Sequence, residues 1–365
     1  MSKTLKIVIG IIVVVLVVWG LSSSNNSSTE KLHISSILSL TGPASFFGEE
    51  LKNGMDLAND TKKLDVVYGD SESTPAKGVS AFQQAIAQQK PDLAIIMLSA
   101  VNAATMPIAL ENKIPVLQTL TSASKIGAQS PYSFRYFTSG EQEAPIAASI
   151  MVDVVKAQKI AAIYTNDEYG LAYFNALKEA VQAKGATIVA NEAVGTKDTD
   201  FKTQLTKINS QKPDAIYMIA LDKSLATMIK QARELKTPAK LFTNWVLANP
   251  AVRDMVKGDA EGIYLTSPSY YLSTPSSLAT EFVNSYKAKY KKDPSAYAAI
   301  GYDVINILDN VKKAKGDNAE NIIQKLTDIK SIKGVMGDLN IDQEGEITFA
   351  LFPVVIKDGN LTEVK

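Results

Sequence analysis

Hydrophobic and polar positions along this chain switch repeatedly between two periods. Leu32-His33-Ile34-Ser35-Ser36-Ile37-Leu38 reads as a strand, and Leu40-Thr41-Gly42-Pro43 breaks it. Residues 48–62 follow at helical spacing, with Leu51, Met55, Leu57 and Ala58 on one side. Residues 64–68 read as a strand. Pro75–Gln89 reads as a helix with Thr74 as its N-cap and Pro75 at its first position. Residues 93–98 form a continuous apolar run, the mark of a strand buried on both faces. A helix at 102–111 and a strand at 114–117 complete the series. Each unit takes about 30 residues, as βαβ units do, and the alternation predicts a parallel sheet.

The same beat then starts again. A helix is predicted at 141–157, a strand at 160–164 and a helix at 169–184. Residues 187–191, 201–209 and 215–219 read strand, helix, strand. A helix at 221–235 and strands at 240–243 and 262–265 continue it. Two such series predict an α/β protein of two doubly wound parallel-sheet lobes, each with helices on both faces. Two long helices follow at 278–290 and 297–314. The tail changes character: 337–342, 345–349 and 352–356 read as short antiparallel strands, with turns at Gln343-Glu344-Gly345 and Asp358-Gly359-Asn360.

The first thirty residues fit neither period. Lys3 and Lys6 precede an apolar run at 7–21 broken only by Gly10 and Gly20, and a Ser/Asn-rich stretch follows at 22–29. A basic flank, an apolar run and a polar exit mark a secretion signal or a signal anchor. The run is short for a spanning helix, which needs about 20 residues, but starting at Leu5 brings it within range. No small-residue cleavage site is evident, and no cysteine is present to carry a lipid. An uncleaved anchor is therefore favoured over a cleaved signal. The lysines place that end in the cytoplasm and the rest outside.

The 365 residues fit two domains of about 150 once the leader is set aside. Lys+Arg and Asp+Glu balance at 38 each, so nothing suggests a nucleic-acid surface. The lack of cysteine excludes disulfides, thiolate nucleophiles and Cys-ligated metals. His33 is the only histidine and sits within a strand pattern, so Ser-His catalysis and His-cluster zinc sites lose their support. No G-x-G-x-x-G, P-loop, G-x-S-x-G or H-E-x-x-H occurs. Carboxylates near predicted strand ends, at Asp70, Asp167, Glu168 and Asp222, form no acid/base motif and read as surface or capping groups. No enzyme, no cofactor and no metal are expected.

Four motifs in order carry a resemblance. Leu40-Thr41-Gly42-Pro43-Ala44-Ser45-Phe46-Phe47-Gly48 leads into a helix with Asn53-Gly54-Met55-Asp56-Leu57-Ala58. Tyr164-Thr165-Asn166-Asp167-Glu168-Tyr169-Gly170 precedes another helix, and Lys292-Asp293-Pro294-Ser295-Ala296-Tyr297 opens the helix with Gly301-Tyr302-Asp303. From about Lys31 onward the chain resembles the type I periplasmic-binding-protein family, in particular the branched-chain amino-acid (Leu/Ile/Val)-binding proteins of ABC transporters. The resemblance implies two lobes joined by three crossovers, with a small molecule in the cleft between them. It places lobe 1 at 31–140 plus 269–333, and lobe 2 at 141–268 plus 334–365. It implies delivery to a membrane permease with its ATPase, from an extracytoplasmic position. A ligand-sensing ectodomain acting through a partner protein is the alternative.

Site residues follow from the matching motifs. Phe47 corresponds to the aromatic of the first loop, and it could equally be a packing residue. Ser99 and Ala100 follow the buried strand, where the family supplies a hydroxyl and backbone groups to a ligand carboxylate. Thr121 and Ser122 match the next loop, completing the anion cradle at a helix N-terminus. Tyr169 matches the tyrosine that closes over the ligand from the second lobe, and Tyr297 an aromatic near the pocket from the first. Two positions depart from the pattern. The amino-acid binders place an acid after the strand at 240–243 to pair with the ligand's ammonium; here Asn244-Trp245 stands there. A tyrosine expected after Ile219 is replaced by Leu221-Asp222. Asp222 could take over as the ammonium partner, since an unpaired buried ammonium is costly. Alternatively Asp222 caps its helix and Trp245 stacks on an apolar or aromatic ligand. An amino acid and another small carboxylate both remain open.

Overall fold

The computed structural model describes residues 31–364 apart from 124, 125, 127–129, 273–275, 312 and 315. The apolar run at 7–21 lies outside them. Among the described residues no helix is long and apolar enough to cross a membrane.

The first sheet is built from β1 (His33–Leu38), β2 (Asp65–Asp70), β3 (Leu93–Met97), β4 (Val116–Thr119) and β5 (Ser133–Tyr136), all parallel. Its helices are α1 (Ser45–Lys62), α2 (Pro75–Gln89) and α3 (Ser99–Glu111). The chain then enters α4 (Gly140–Ser149), which continues as a π-helical turn at Ile150–Val154. The second sheet follows: β6 (Lys159–Thr165), α5 (Glu168–Ala183), β7 (Thr187–Val194), α6 (Lys202–Ser210), β8 (Ala215–Ile219), α7 (Asp222–Glu234), β9 (Lys240–Thr243), α8 (Pro250–Val256) and β10 (Tyr264–Pro268). These five strands are also parallel. The chain returns to the first sheet through α9 (Ser277–Tyr290), α10 (Ala296–Asp309) and α11 (Ala319–Asp328).

The tail does not go to one lobe. β11 (Ser331–Gly334), β12 (Gly337–Ile341) and β13 (Glu346–Thr348) extend the first sheet, in the order β11-β12-β13-β5-β4-β3-β1-β2. Only β14 (Leu351–Lys357) and β15 (Asn360–Glu363) join the second, in the order β15-β14-β10-β9-β8-β6-β7. The expectation that 334–365 lies wholly in the second lobe is thus corrected: the third passage between sheets falls after Thr348. Asp303 of α10 explains why. Its buried carboxylate accepts from Val335 N at 2.7 Å, Met336 N at 3.0 Å and Tyr136 Oη at 2.9 Å, pinning the turn before β12 to the first lobe. Leu339, Ile341 and Ile347 then bury their side chains in the core.

Strand β5 is absent from the hydropathy pattern because Arg135 sits within it. The side chain is only 3% exposed, pairs with Glu346, and donates to the carbonyls of Thr121 at 2.9 Å and Phe137 at 3.0 Å. A charge so satisfied can be buried. The helix expected at 297–314 ends at Asp309. The helix expected at 141–157 keeps its α-helical form only to Ser149.

The Gly54 and Gly301 motifs have one physical cause. A Cβ on Gly54 would lie 1.8 Å from the Ala298 carbonyl oxygen, and one on Gly301 would lie 2.0 Å from that of Leu51. Helices α1 and α10 pack backbone to backbone here, which only glycine permits. Their N-terminal ends carry Phe47 and Tyr297 to the same place.

Candidate functional site

The candidate site lies where the C-terminal ends of the two sheets face each other, the usual ligand position in open α/β sheets. On the first-lobe side, Ser99 opens α3 directly after β3. Its Oγ accepts from Ser122 N at 3.2 Å and from Ala123 N at 3.4 Å, tying the β3 and β4 loops together. Ala100, the next residue of α3, is half-buried at the positive end of the helix. Thr121 has its hydroxyl occupied: it accepts from Asn102 Nδ2 at 2.8 Å and donates to the Thr119 carbonyl at 3.1 Å. Ser122 differs. Its Oγ is buried and has no hydrogen-bond partner among the described residues.

Both loops are held under backbone strain. Leu98, just before Ser99, has φ +75°, and Leu120, just before Thr121, has φ +48°. Left-handed leucines are uncommon, cost of order 1–3 kcal/mol each, and cluster where geometry serves a ligand. On the second-lobe side Asp222 joins them at φ +35°.

The second-lobe side adds two aromatic side chains, Tyr169 and Trp245. Tyr169 lies in the first turn of α5, whose N-cap Asp167 accepts from Gly170 N at 2.9 Å. The Tyr169 hydroxyl accepts from Asn244 Nδ2 at 2.6 Å. Trp245 is fully buried and its ring centroid lies 5.4 Å from Tyr297 and 5.5 Å from Phe137. Tyr297 in turn meets Phe47 edge-on at 4.7 Å. These rings form a continuous row from α1 and α10 of one lobe to the loop after β9 of the other, so the lobes touch here.

Asp222 opens α7 at the end of β8. Burial pushes its carboxyl up to about 7, only partly opposed by Lys223, and its Oδ1 is buried without a hydrogen-bond partner among the described residues. Its charge contributes to raising the phenols of Tyr169 and Tyr297, which burial already holds far above the usual tyrosine range.

The structure brings Phe47, Tyr297 and Trp245 into one row, joins Ser99 to the Ser122 loop, and sets Tyr169 against Asn244. Thr121 is drawn inward instead. Asp70 and Asp167 act as capping groups: Asp70 accepts from Leu40 N at 2.9 Å and Thr41 Oγ1 at 2.7 Å. His33 is exposed at the far end of β1 and bonds Asp65. Two surface cavities on the first lobe, beside Tyr68 and Gln84 and beside Asp56 and Lys289, include none of these site residues.

Sequence reasoning missed Glu143. This fully buried carboxylate of α4 accepts from Tyr173 Oη, Thr266 Oγ1 and, at 3.3 Å, Trp245 N. Burial raises its proton affinity, against hydrogen bonds from Thr266, Tyr173, Thr138 and the Trp245 amide. One signal was available: Glu143 shares a helical face with Ala144, Ala147, Ala148 and Met151, an acid within an apolar stripe. Among the described residues no cluster of three or more His, Asp or Glu could hold a metal ion.

Comparison with known proteins agrees with this architecture. The chain is 22% identical over 342 residues to the Leu/Ile/Val-binding protein of Escherichia coli (strain K12), covering 90% of this chain and 91% of that one. The branched-chain amino acid transporter substrate binding protein of Streptococcus pneumoniae, solved with isoleucine, superposes with a TM-score of 0.79 at 21% identity, over 91% of this chain and 98% of that one. An ABC transporter solute binding protein from R. palustris, solved with benzoate, gives 0.81 at 21% identity, over 92% and 96%. The family model described as periplasmic binding protein matches residues 31–360, and the chain belongs to that family.

Proposed function

We propose that this protein captures a small carboxylate in the cleft between its lobes and presents it to an ABC permease, performing no chemistry on it. One observation carries the reading. The buried Ser122 hydroxyl has no partner among the described residues, and its loop is tied to Ser99 at the start of α3, each loop entered through a strained leucine. Hydroxyls and helix-end amides held in that way suit an anion. Relatives named for leucine, isoleucine and valine, and structures solved with isoleucine and with benzoate, support a ligand of this class.

The opposite wall decides between ligands. Asp222 offers to an ammonium a carboxylate oxygen, Oδ1, that has no partner among the described residues, which favours an amino acid. Trp245 offers an aromatic face, which favours a ring-bearing acid. Asp222 and Tyr169 are read as closing over the ligand by hinge motion on the three passages between sheets. The basic-flanked apolar run at 7–21 supports an extracytoplasmic protein tethered to the membrane, with the Ser/Asn-rich stretch at 22–29 as the tether. The division into lobes is read as 31–139, 269–348 for the first and 140–268, 351–364 for the second.

Mass spectrometry of small molecules released from denatured, gently purified protein tests the reading. A carboxylate retained in proportion to protein supports it. Retention only of molecules without an anionic group sinks it.

A further inference from the structure

Two of the three passages between the lobes meet the first turn of α4, and so does the strand that leads into the other. The first is Phe137–Ser139 itself, and Ser139 Oγ caps the helix by accepting from Gln142 N at 3.2 Å. β10 leads into the second, and two residues before its end Thr266 Oγ1 donates to Glu143. The third follows β13, where the Phe349 carbonyl accepts from Gln142 Nε2 at 2.7 Å.

This turn and the first passage that leads into it each hold the tryptophan of the cleft. The Trp245 amide donates to Glu143 Oε2 at 3.3 Å, and its indole Nε1 donates to Thr138 Oγ1 at 2.8 Å. An alanine would suit the apolar stripe on which Glu143 lies. A buried carboxylate is costly unless its hydrogen bonds are made. Here they are made: two come from Thr266 and the Trp245 amide, and the third from Tyr173, whose hydroxyl also meets Thr138 Oγ1 of the first passage at 3.3 Å.

We infer that Glu143 is a positioning residue that couples the hinge to Trp245, so that the seat of this ring over the cleft depends on how the three passages are set. Opening the lobes alters the torsions that place Thr138, which loosens Trp245. A ligand seated against the ring favours the closed passages in return. This last step rests on the cleft being the ligand site; the coupling itself does not.

The test reads Trp245 without ligand. The chain has two tryptophans, so Trp19→Phe in the full-length protein leaves Trp245 as the sole reporter. Emission maximum and acrylamide quenching are compared for Glu143→Ala, Glu143→Gln, Thr138→Val and Gln142→Ala, with circular dichroism confirming the fold. Glu143→Ala is expected to raise the quenching constant several-fold and shift emission to the red. Glu143→Gln should stay close to the parent, because its amide oxygen can accept from Trp245 N while its NH2 donates to the Tyr173 oxygen. Thr138→Val removes the indole acceptor together with the contact to Tyr173 Oη, and should shift emission to the blue. Gln142→Ala touches neither Glu143 nor Trp245, yet should raise quenching by a smaller factor through the third passage.

A merely structural role would lower the melting temperature and leave native emission unchanged. Folded Glu143→Ala with parental quenching overturns the proposal, as does an unshifted Thr138→Val. A Gln142→Ala protein that matches the parent overturns the coupling to the hinge. Should Glu143→Ala unfold, Thr138→Val and Gln142→Ala decide alone. Failure of L-leucine and benzoate to bind would remove the ligand reading without altering any of these readouts.

Discussion

At the strand ends of the first-lobe side the polar groups are small: the hydroxyls of Ser99 and Ser122 and the amides at the start of α3. On the second-lobe side they are long or bulky: Tyr169 against Asn244, Trp245 held by Glu143, and Asp222, whose Oδ1 has no partner among the described residues. The first wall is set by short loops directly after buried parallel strands, so its chemistry follows from the strand ends. The second is set by contacts between elements far apart in sequence, such as Trp245 with Glu143 and Thr138. The contrast suggests a division of labour: one wall recognises what a class of ligands shares, and the other separates its members.

Substitutions can break that division, beginning with Trp245. Trp245→Ala removes the largest buried side chain of the second wall and is expected to cost about 3–5 kcal/mol of stability. Denaturant unfolding would measure it. Ligand affinity should fall as well, because the aromatic row from Phe47 to Phe137 is interrupted.

The first wall should respond more modestly. Ser122→Ala removes a hydroxyl that has no partner among the described residues, so stability should barely change while affinity for a carboxylate falls by about 1.5–3 kcal/mol, the worth of a hydrogen bond to a charged group. Ser99→Ala should lower both, since Ser99 also joins two loops. Calorimetry beside thermal melting separates the two effects.

Asp222 sharpens the comparison through pH. Its carboxyl titrates near 7 when folded, against an ordinary value of 3.8. The folded state thus binds the proton more tightly than the unfolded chain does. From this group, stability falls as pH rises from about 4 towards about 7. Asp222→Asn should flatten that slope in melts taken across the range. An ammonium-bearing ligand needs the ionised form, so its affinity should rise through about pH 7 and level off. Benzoate has no cation, and its affinity should fall over the same interval.

The smallest effect belongs to Asn244. Asn244→Ala removes the donor to Tyr169 Oη and should cost about 0.5–1.5 kcal/mol by thermal melting.

Most of the fold was legible because its signals are local. The Thr74 cap, Pro75 and the all-apolar β3 place their elements within a residue or two, and Ala215–Ile219 and Lys240–Thr243 match their predicted bounds. The misassigned tail had no local signal. Whether β12 and β13 join one sheet or the other depends on Asp303 and on the Glu346–Arg135 pair, and those partners lie roughly thirty and two hundred residues away. Site residues divide in the same way. Ser99 and Ser122 stand at strand ends visible in hydropathy alone. Glu143 gains its meaning only when α4, β10 and the Trp245 loop converge.

Titration calorimetry of the full-length chain with L-leucine and with benzoate, beside its Ser122→Ala and Trp245→Ala forms, tests the account most directly. The account predicts that at least one of these carboxylates binds at a single site, and that each substitution weakens it at least about tenfold. Binding of neither ligand, or binding that both substitutions leave intact, would contradict a carboxylate site between these two walls.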